Sequence, residues 1–303
     1  MDAAYVLDKD GTLTHEGVRI RGASDFVRHV QERARAYVIL SNTGTRTGAQ
    51  VAEELTRTLG VHIPHGHVIT ARDQLLEAVA ETSGRVVVVD DATAVPMPDC
   101  DDASDVRVAV MTDGCVTAAT LAHVAEWVRR GAALWITSTD MSVMRRTDGG
   151  ALLAFPGPGV VLKTVECLAP VGALRVFGKG SSADASLGAS VLARLRAQGY
   201  HGATRSIVMV GDRIDTDVRM GRSNGWSTCL VETGCHRACD MWRFPQEPVD
   251  TVAANVYDLT ADGVASEECG VTRGIRSMVQ RLSLFAARPP RRIQSAPELS
   301  RME

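Results

Sequence analysis

Short runs of aliphatic and β-branched residues alternate along this chain with longer stretches in which apolar positions recur three and four residues apart. That rhythm predicts an α/β fold with a mostly parallel sheet. A strand over 3–7 is followed by a glycine turn and a helix over 24–35; a strand over 37–40 is followed by a helix over 46–59, closed by Gly60. Further on come a strand at 176–177, a helix near 184–198, a strand at 206–210, a helix near 216–223 and a strand at 228–231. Between these blocks lies a stretch with its own βαβ rhythm: strands at 85–89 and 106–111, a helix over 117–130, a strand at 132–136 and a helix near 159–168. The turn signals Thr82-Ser83-Gly84 and Pro170-Val171-Gly172 delimit 83–174 as an inserted α/β domain, leaving 1–82 and 175–270 as the two parts of a core. In the tail, 271–303, arginines far outnumber acids and Pro289-Pro290 precludes a continuous helix. It reads as a solvated, partly disordered end, or else as a basic docking segment for an acidic partner or a membrane surface.

Composition narrows the function classes. At 303 residues the chain can bury a sizeable core without disulfide or metal staples. Its 45% hydrophobic and 23% charged residues exclude wholesale disorder. A net charge of −3 and only 4% aromatic residues give neither the field nor the stacking platforms for nucleic acid, so no such partner is expected. No apolar stretch approaches the ~20 residues of a membrane span, so no membrane partner is expected either. The first residues run straight into a strand, which leaves no room for a leader. The seven cysteines show no paired-ligand rhythm, and Cys235 and Cys239, flanking His236, lack a second pair at zinc spacing. The expectation is free thiols in a reducing cytoplasm. Only Lys9, Lys163 and Lys179 among the 33 basic residues are lysine, so a lysine in a demanding spot is informative.

Four pieces carry chemistry, and all four follow a predicted strand. In Leu7-Asp8-Lys9-Asp10-Gly11-Thr12-Leu13, strand alternation points Asp8 and Asp10 one way and Lys9 the other, and two carboxylates at a strand end suit a hard cation or acid–base work. A calcium-loop reading of D-K-D-G-T fails, because neither register supplies the glycine and the closing acid. Leu40-Ser41-Asn42-Thr43-Gly44 offers hydroxyls and freed N–H groups for an oxyanion, or a plain helix cap. Phe177-Gly178-Lys179-Gly180 sets a compact ammonium between glycines. In Val210-Gly211-Asp212-Arg213-Ile214-Asp215-Thr216-Asp217, three aspartates crowd within six residues and call for a cation. Asp212 is the foremost ligand candidate, Asp215 reads as an N-cap, and Asp217 as a carboxylate behind the ligands. Strand ends of an open parallel sheet share one edge, where ligands bind.

In this order the pieces resemble the haloacid dehalogenase (HAD) superfamily, most closely its p-nitrophenylphosphatase, phosphoglycolate phosphatase and pyridoxal phosphate phosphatase group. Gly22-Ala23, the G-D-R-x-D-T-D form of the last piece and the large insert add to the likeness, which spans roughly residues 3–260. The resemblance implies a Rossmann-like parallel-sheet core with an inserted α/β cap, and an Mg²⁺-dependent phosphohydrolase of small phosphate monoesters. It implies Asp8 as nucleophile forming an aspartyl-phosphate, Asp10 as acid and then base, and Mg²⁺ on Asp8, the Asp10 carbonyl and Asp212. Ser41, Asn42, Thr43 and Lys179 would hold the phosphate. The partner implied is a small phosphorylated metabolite, along with a homodimer through the cap, as relatives often form. Three departures stand out: Lys9 replaces an apolar or small residue, Gly180 replaces a proline, and Ser41-Asn42-Thr43 varies T-N-N. Length-matching of 136–149 puts Met144 where pyridoxal-phosphate enzymes carry histidine, and Arg145 and Arg146 either favour an acidic leaving group such as glycolate or are solvated surface charges. The alternatives kept open are a pyridoxal phosphate or sugar phosphate phosphatase of the same fold, and a non-hydrolysing phosphoacceptor or binding protein.

Overall fold

The structure, a computed structural model, describes residues 3–260 apart from 34, 91–93, 113–115, 148 and 181–183, and the side chains of Arg146, Leu152, Asp184 and Ala185 are also outside the described set. The expected basic tail and Ser181-Ser182 therefore lie outside it. The chain opens with β1 (Ala4–Asp8), a small hairpin of β2 (Thr14–His15) and β3 (Val18–Arg19), α1 (Ala23–Glu32), β4 (Tyr37–Ser41), α2 (Gly48–Leu59), β5 (Val68–Thr70) and α3 (Ala71–Glu81). There follow β6 (Arg85–Val89), β7 (Val106–Val110), α4 (Ala118–Arg129), β8 (Ala133–Ile136), a hairpin of β9 (Ser142–Arg146) and β10 (Leu152–Pro156), α5 (Pro158–Leu168) and β11 (Leu174–Val176). The last part holds α6 (Asp184–Ala197), β12 (Ile207–Gly211), a π turn at Ile214–Val218 running into α7 (Arg219–Ser223), β13 (Ser227–Val231) and β14 (Thr251–Ala253).

Six strands form one parallel sheet in the order β14-β13-β12-β1-β4-β5. β1, β4 and β12 are buried along their whole length, as expected of parallel strands covered on both faces. Val6, Val38 and Met209 pack against Leu187, Val191 and Leu195 of α6, while Tyr5 on the opposite face meets Phe26 of α1 edge-on, ring centroids 5.5 Å apart. α2 starts at a Thr47–Gln50 capping box and stops at Gly60, whose φ of 65° is left-handed. The chain leaves β1 toward β4 on one side and later returns to β12 on the other, so the switch in strand order falls at the end of β1. This is the doubly wound, Rossmann-like arrangement expected.

A second parallel sheet has the order β11-β8-β7-β6. α4 and α5 pack one face through Val124, Trp127, Val161 and Val165. Leu75 and Ala78 of α3 pack the other, against Ala109, Trp135 and Phe177. Two expectations change here. The strand before Lys179 pairs with β8 rather than with the larger sheet, and α3 serves the smaller sheet although it precedes residue 83. The boundaries at 82/83 and 174/175 thus fall inside one packed layer, because α3 and β11 bury their apolar faces on that sheet. The β9–β10 hairpin, β5 with α3, and β14 were not expected. Among the described residues no helix is long and apolar enough to cross a membrane.

Trp127 is fully buried, and its indole N–H donates to the Pro96 carbonyl at 2.9 Å, which ties α4 to the segment between β6 and β7. Trp127→Ala should lower the unfolding free energy by about 3–5 kcal/mol, read by urea denaturation.

Candidate active site

The register of the larger sheet brings three of the four motifs to one rim. Leu7 lies beside Val210 and Asp8 beside Leu40, so β1, β4 and β12 deliver Asp8, Ser41 and Asp212 at neighbouring strand ends. Lys179 reaches the same point from the other side, through the linker that follows β11. Gly178 permits this: a Cβ there would press on the Thr137 carbonyl and the Asn42 side chain. Gly180 has a φ of 84°, which no proline can adopt, so its departure from the family pattern reflects a different local backbone.

At the rim the Lys179 ammonium donates to Asp8 and lies 2.8 Å from the Asp217 carboxylate. Asp217 also accepts the Arg213 N–H at 3.0 Å. Asp212 accepts the Cys235 N–H at 2.6 Å, and its carbonyl accepts the His236 N–H at 3.0 Å. The His236 ring in turn accepts the Ile214 N–H at 2.9 Å, so the Cys235-His236 segment braces the Asp212 loop. A Cβ on Gly11, whose φ is 87°, would collide with the Asp212 carboxylate, so only glycine fits where the two motifs touch. Asp217 is thus an ion-pair partner of Lys179. Asp215 is no N-cap: it pairs with the Arg213 guanidinium at 2.9 and 3.1 Å, because the chain enters this helix through a π turn headed by Arg213.

Burial dominates the electrostatics. It raises the Asp8 carboxyl, Lys179 pulls it partly back, Asp217 adds repulsion, and the balance lies at about 7. Burial, reinforced by Asp8 and Asp217, raises Asp212 well above the carboxylate range. For Lys179 burial opposes the charged form, but Asp217 and Asp8 outweigh it and hold the ammonium above its ordinary value. Three carboxylates this close remain short of positive charge. Their ligand atoms lie within 4.8 Å of one another, and Asp8 Oδ2 and Asp212 Oδ1 are buried without a hydrogen-bond partner. An all-oxygen donor set with orphaned atoms fits a hard divalent cation.

Ser41 and Thr43 lie at the end of β4, with the Thr43 N–H 3.4 Å from Ser41 Oγ. The Asn42 side chain is already engaged: its oxygen accepts the Lys179 N–H at 2.8 Å and its amide donates to Asp140 at 2.9 Å. Asp140, after β8, is one functional candidate that sequence reasoning missed; it also faces Arg213 at 3.7 Å. The signal available was a carboxylate just past a strand end of a parallel sheet. These groups line a cavity of about 610 Å³ whose lining also includes Met144 and Arg145 from β9.

Asp10 and Lys9 depart from strand alternation. β1 ends at Asp8, so Lys9 does not face away; its ammonium lies 2.8 Å from Asp10 and 3.4 Å from Glu54 of α2, and all three line the cavity. The alternation rule fails because residues 9–14 form a tight turn, in which Leu13 and Thr14 N–H both donate to the Lys9 carbonyl.

A carboxyl raised from 3.8 to about 7 holds a proton in the native state that the unfolded chain releases between those values. Its contribution to stability is therefore complete below pH ~4 and lost as pH rises through ~7. In protein freed of divalent cations by EDTA, the unfolding free energy of wild type minus that of Asp8→Asn should fall across this window. A difference that grows with pH rejects the burial assignment.

A model of haloacid dehalogenase-like hydrolases matches residues 5–96, and a HAD-hydrolase-like model matches 188–259. The acid sugar phosphatase of Staphylococcus saprophyticus is 28% identical over 240 residues, covering 76% of this chain and 86% of the relative. The dihydroxyacetone phosphatase of Corynebacterium glutamicum is 26% identical over 263 residues, covering 83% and 89%. NagD of E. coli K-12 superposes with a TM-score of 0.64 at 21% identity, over 84% of this chain and 97% of that one. The glycerol phosphate phosphatase of Mycobacterium tuberculosis, solved with magnesium, gives 0.65 at 21%, over 86% and 77%. The two family matches take in the strand ends that carry Asp8, Ser41 and Asp212, and the chain belongs to the haloacid dehalogenase-like hydrolases.

Proposed function

We propose that the protein is a metal-dependent phosphatase of small phosphate monoesters with Asp8 as nucleophile. The observation that carries this reading is the meeting of Asp8, Lys179, Asp212 and Asp217 in one buried cluster, from three separate stretches of chain, with the first three lining the cavity. In this reading an Asp8 oxygen attacks phosphorus in line; the P–O bond to the leaving group breaks as the new bond forms, and Asp10 gives its proton to the departing oxygen. Water then attacks phosphorus, Asp10 takes its proton, and the bond to Asp8 breaks, releasing inorganic phosphate. Lys179, the Ser41 hydroxyl and the N–H groups of Asn42 and Thr43 hold the non-reacting oxygens, each well-placed donor worth ~3 kcal/mol in the transition state. Asp8, the Asp10 carbonyl and Asp212 are assigned to Mg²⁺, which when bound neutralises the ester's charge and polarises phosphorus.

The segment carrying the smaller sheet acts in this proposal as the cap that excludes water, with Met144 and Arg145 toward the leaving group. The cavity wall carries Arg145 and Arg46 but also Asp140, Glu16 and Glu54, so a neutral, hydroxyl-bearing leaving group fits it as well as an acidic one. Relatives named for sugar, dihydroxyacetone and glycerol phosphates support that class. Free thiols at Cys100, Cys167, Cys229, Cys235 and Cys239 support a reducing cytoplasm as the setting.

With Mg²⁺ the protein should release p-nitrophenolate from p-nitrophenyl phosphate, and EDTA should stop it. Asp8→Asn should lose on the order of 10³-fold or more in kcat, and Lys179→Met about 10²–10³-fold. Retained turnover in Asp8→Asn rejects the nucleophile assignment.

A further inference from the structure

The Lys9 side chain is 1% exposed, while its neighbour Asp10 is 52% exposed. A half-exposed aspartate on a turn is free to change rotamer, yet a proton donor must be held to within roughly 0.5 Å of its working position. The Lys9 ammonium donates to the Asp10 carboxylate at 2.8 Å. That ammonium is fixed in its turn: the lysine stem is enclosed, and Glu54 of α2 approaches from its other side at 3.4 Å. Glu54 is itself gripped by Arg46 from the segment before α2. Asp10, Lys9, Glu54 and Arg46 form one chain of alternating charge along the wall of the cavity that holds Asp8. A buried lysine is costly without a function for its charge, and the Asp8–Lys179–Asp212–Asp217 cluster does not include it.

We infer that Lys9 is a positioning residue. Anchored by Glu54, it holds the Asp10 carboxyl where it can protonate the leaving oxygen. This rests on the phosphatase reading above and adds to it a tether from α2 to the acid. The effect of Lys9 passes through Asp10 and scales with how much the leaving group needs a proton.

The test compares kcat/KM, which reports the first phosphoryl transfer, for p-nitrophenyl phosphate and for phenyl phosphate, whose leaving phenolate is far more basic. Lys9→Met should lower kcat/KM for phenyl phosphate about 10–100-fold and for p-nitrophenyl phosphate less than about 3-fold. Asp10→Asn should show the same ordering, more steeply. Glu54→Gln leaves the ammonium in place but loosens its anchor; it should move in the same sense by a smaller factor, and it carries the test if Lys9→Met loses its melting transition. Equal losses on both esters, the mark of a merely structural lysine, or no loss on either, overturn the positioning role while the phosphatase reading stands. A wild type inactive on both esters overturns that reading, and this inference with it.

Discussion

Three buried carboxylates share one ammonium, and the architecture follows from the need to hold that imbalance together. Asp8, Asp212 and Asp217 place their oxygens within 4.8 Å of one another, and Lys179 is the buried cation among them. Like charges at such separations repel strongly in a low-dielectric setting. Left alone they protonate, which is the direction in which Asp8 and Asp212 move. A folded chain keeps such a cluster only where the surrounding structure is rigid and a ligand of opposite charge completes it.

Rigidity comes from two sheets. Fully buried parallel strands fix the positions of Asp8, Ser41 and Asp212 relative to one another. Lys179 is delivered by the other sheet, whose last strand runs into the Gly178 linker. Asn42 joins the two deliveries: its amide bridges the Lys179 backbone and Asp140. The site is therefore assembled from both sheets, and a change in how the smaller one packs is felt directly at the ammonium. The Asp10 turn is the least enclosed part of this rim, and its restraint comes from the side, through Lys9 and Glu54.

Membership of the haloacid dehalogenase-like hydrolases accounts for the order in which the motifs run along the chain, but two departures have local physical reasons in this chain. Gly180 takes a φ that proline cannot reach, and Lys9 has a built partner set where an apolar residue would have none. Neither disturbs the contacts of Asp8, Lys179 or Asp212.

The amino-acid order by itself determined the fold class and the strand ends that carry Asp8, Ser41 and Asp212, because short apolar runs alternating with amphipathic helices suit buried parallel strands, whose ends gather at one ligand-binding edge. It also marked Lys179, through the scarcity of lysine. It misplaced Lys9, Asp215 and the strand before Lys179, and missed Asp140, Glu54 and the β9–β10 hairpin. Local rules such as alternation and capping cannot see a turn that folds Lys9 back on Asp10, or a strand that chooses between two sheets. Those outcomes depend on contacts between residues far apart in the chain: Lys9 with Glu54, Asn42 with Asp140, Leu174–Val176 with β8. Only tertiary packing, which rewards burying an apolar face wherever a partner face lies open, decided them.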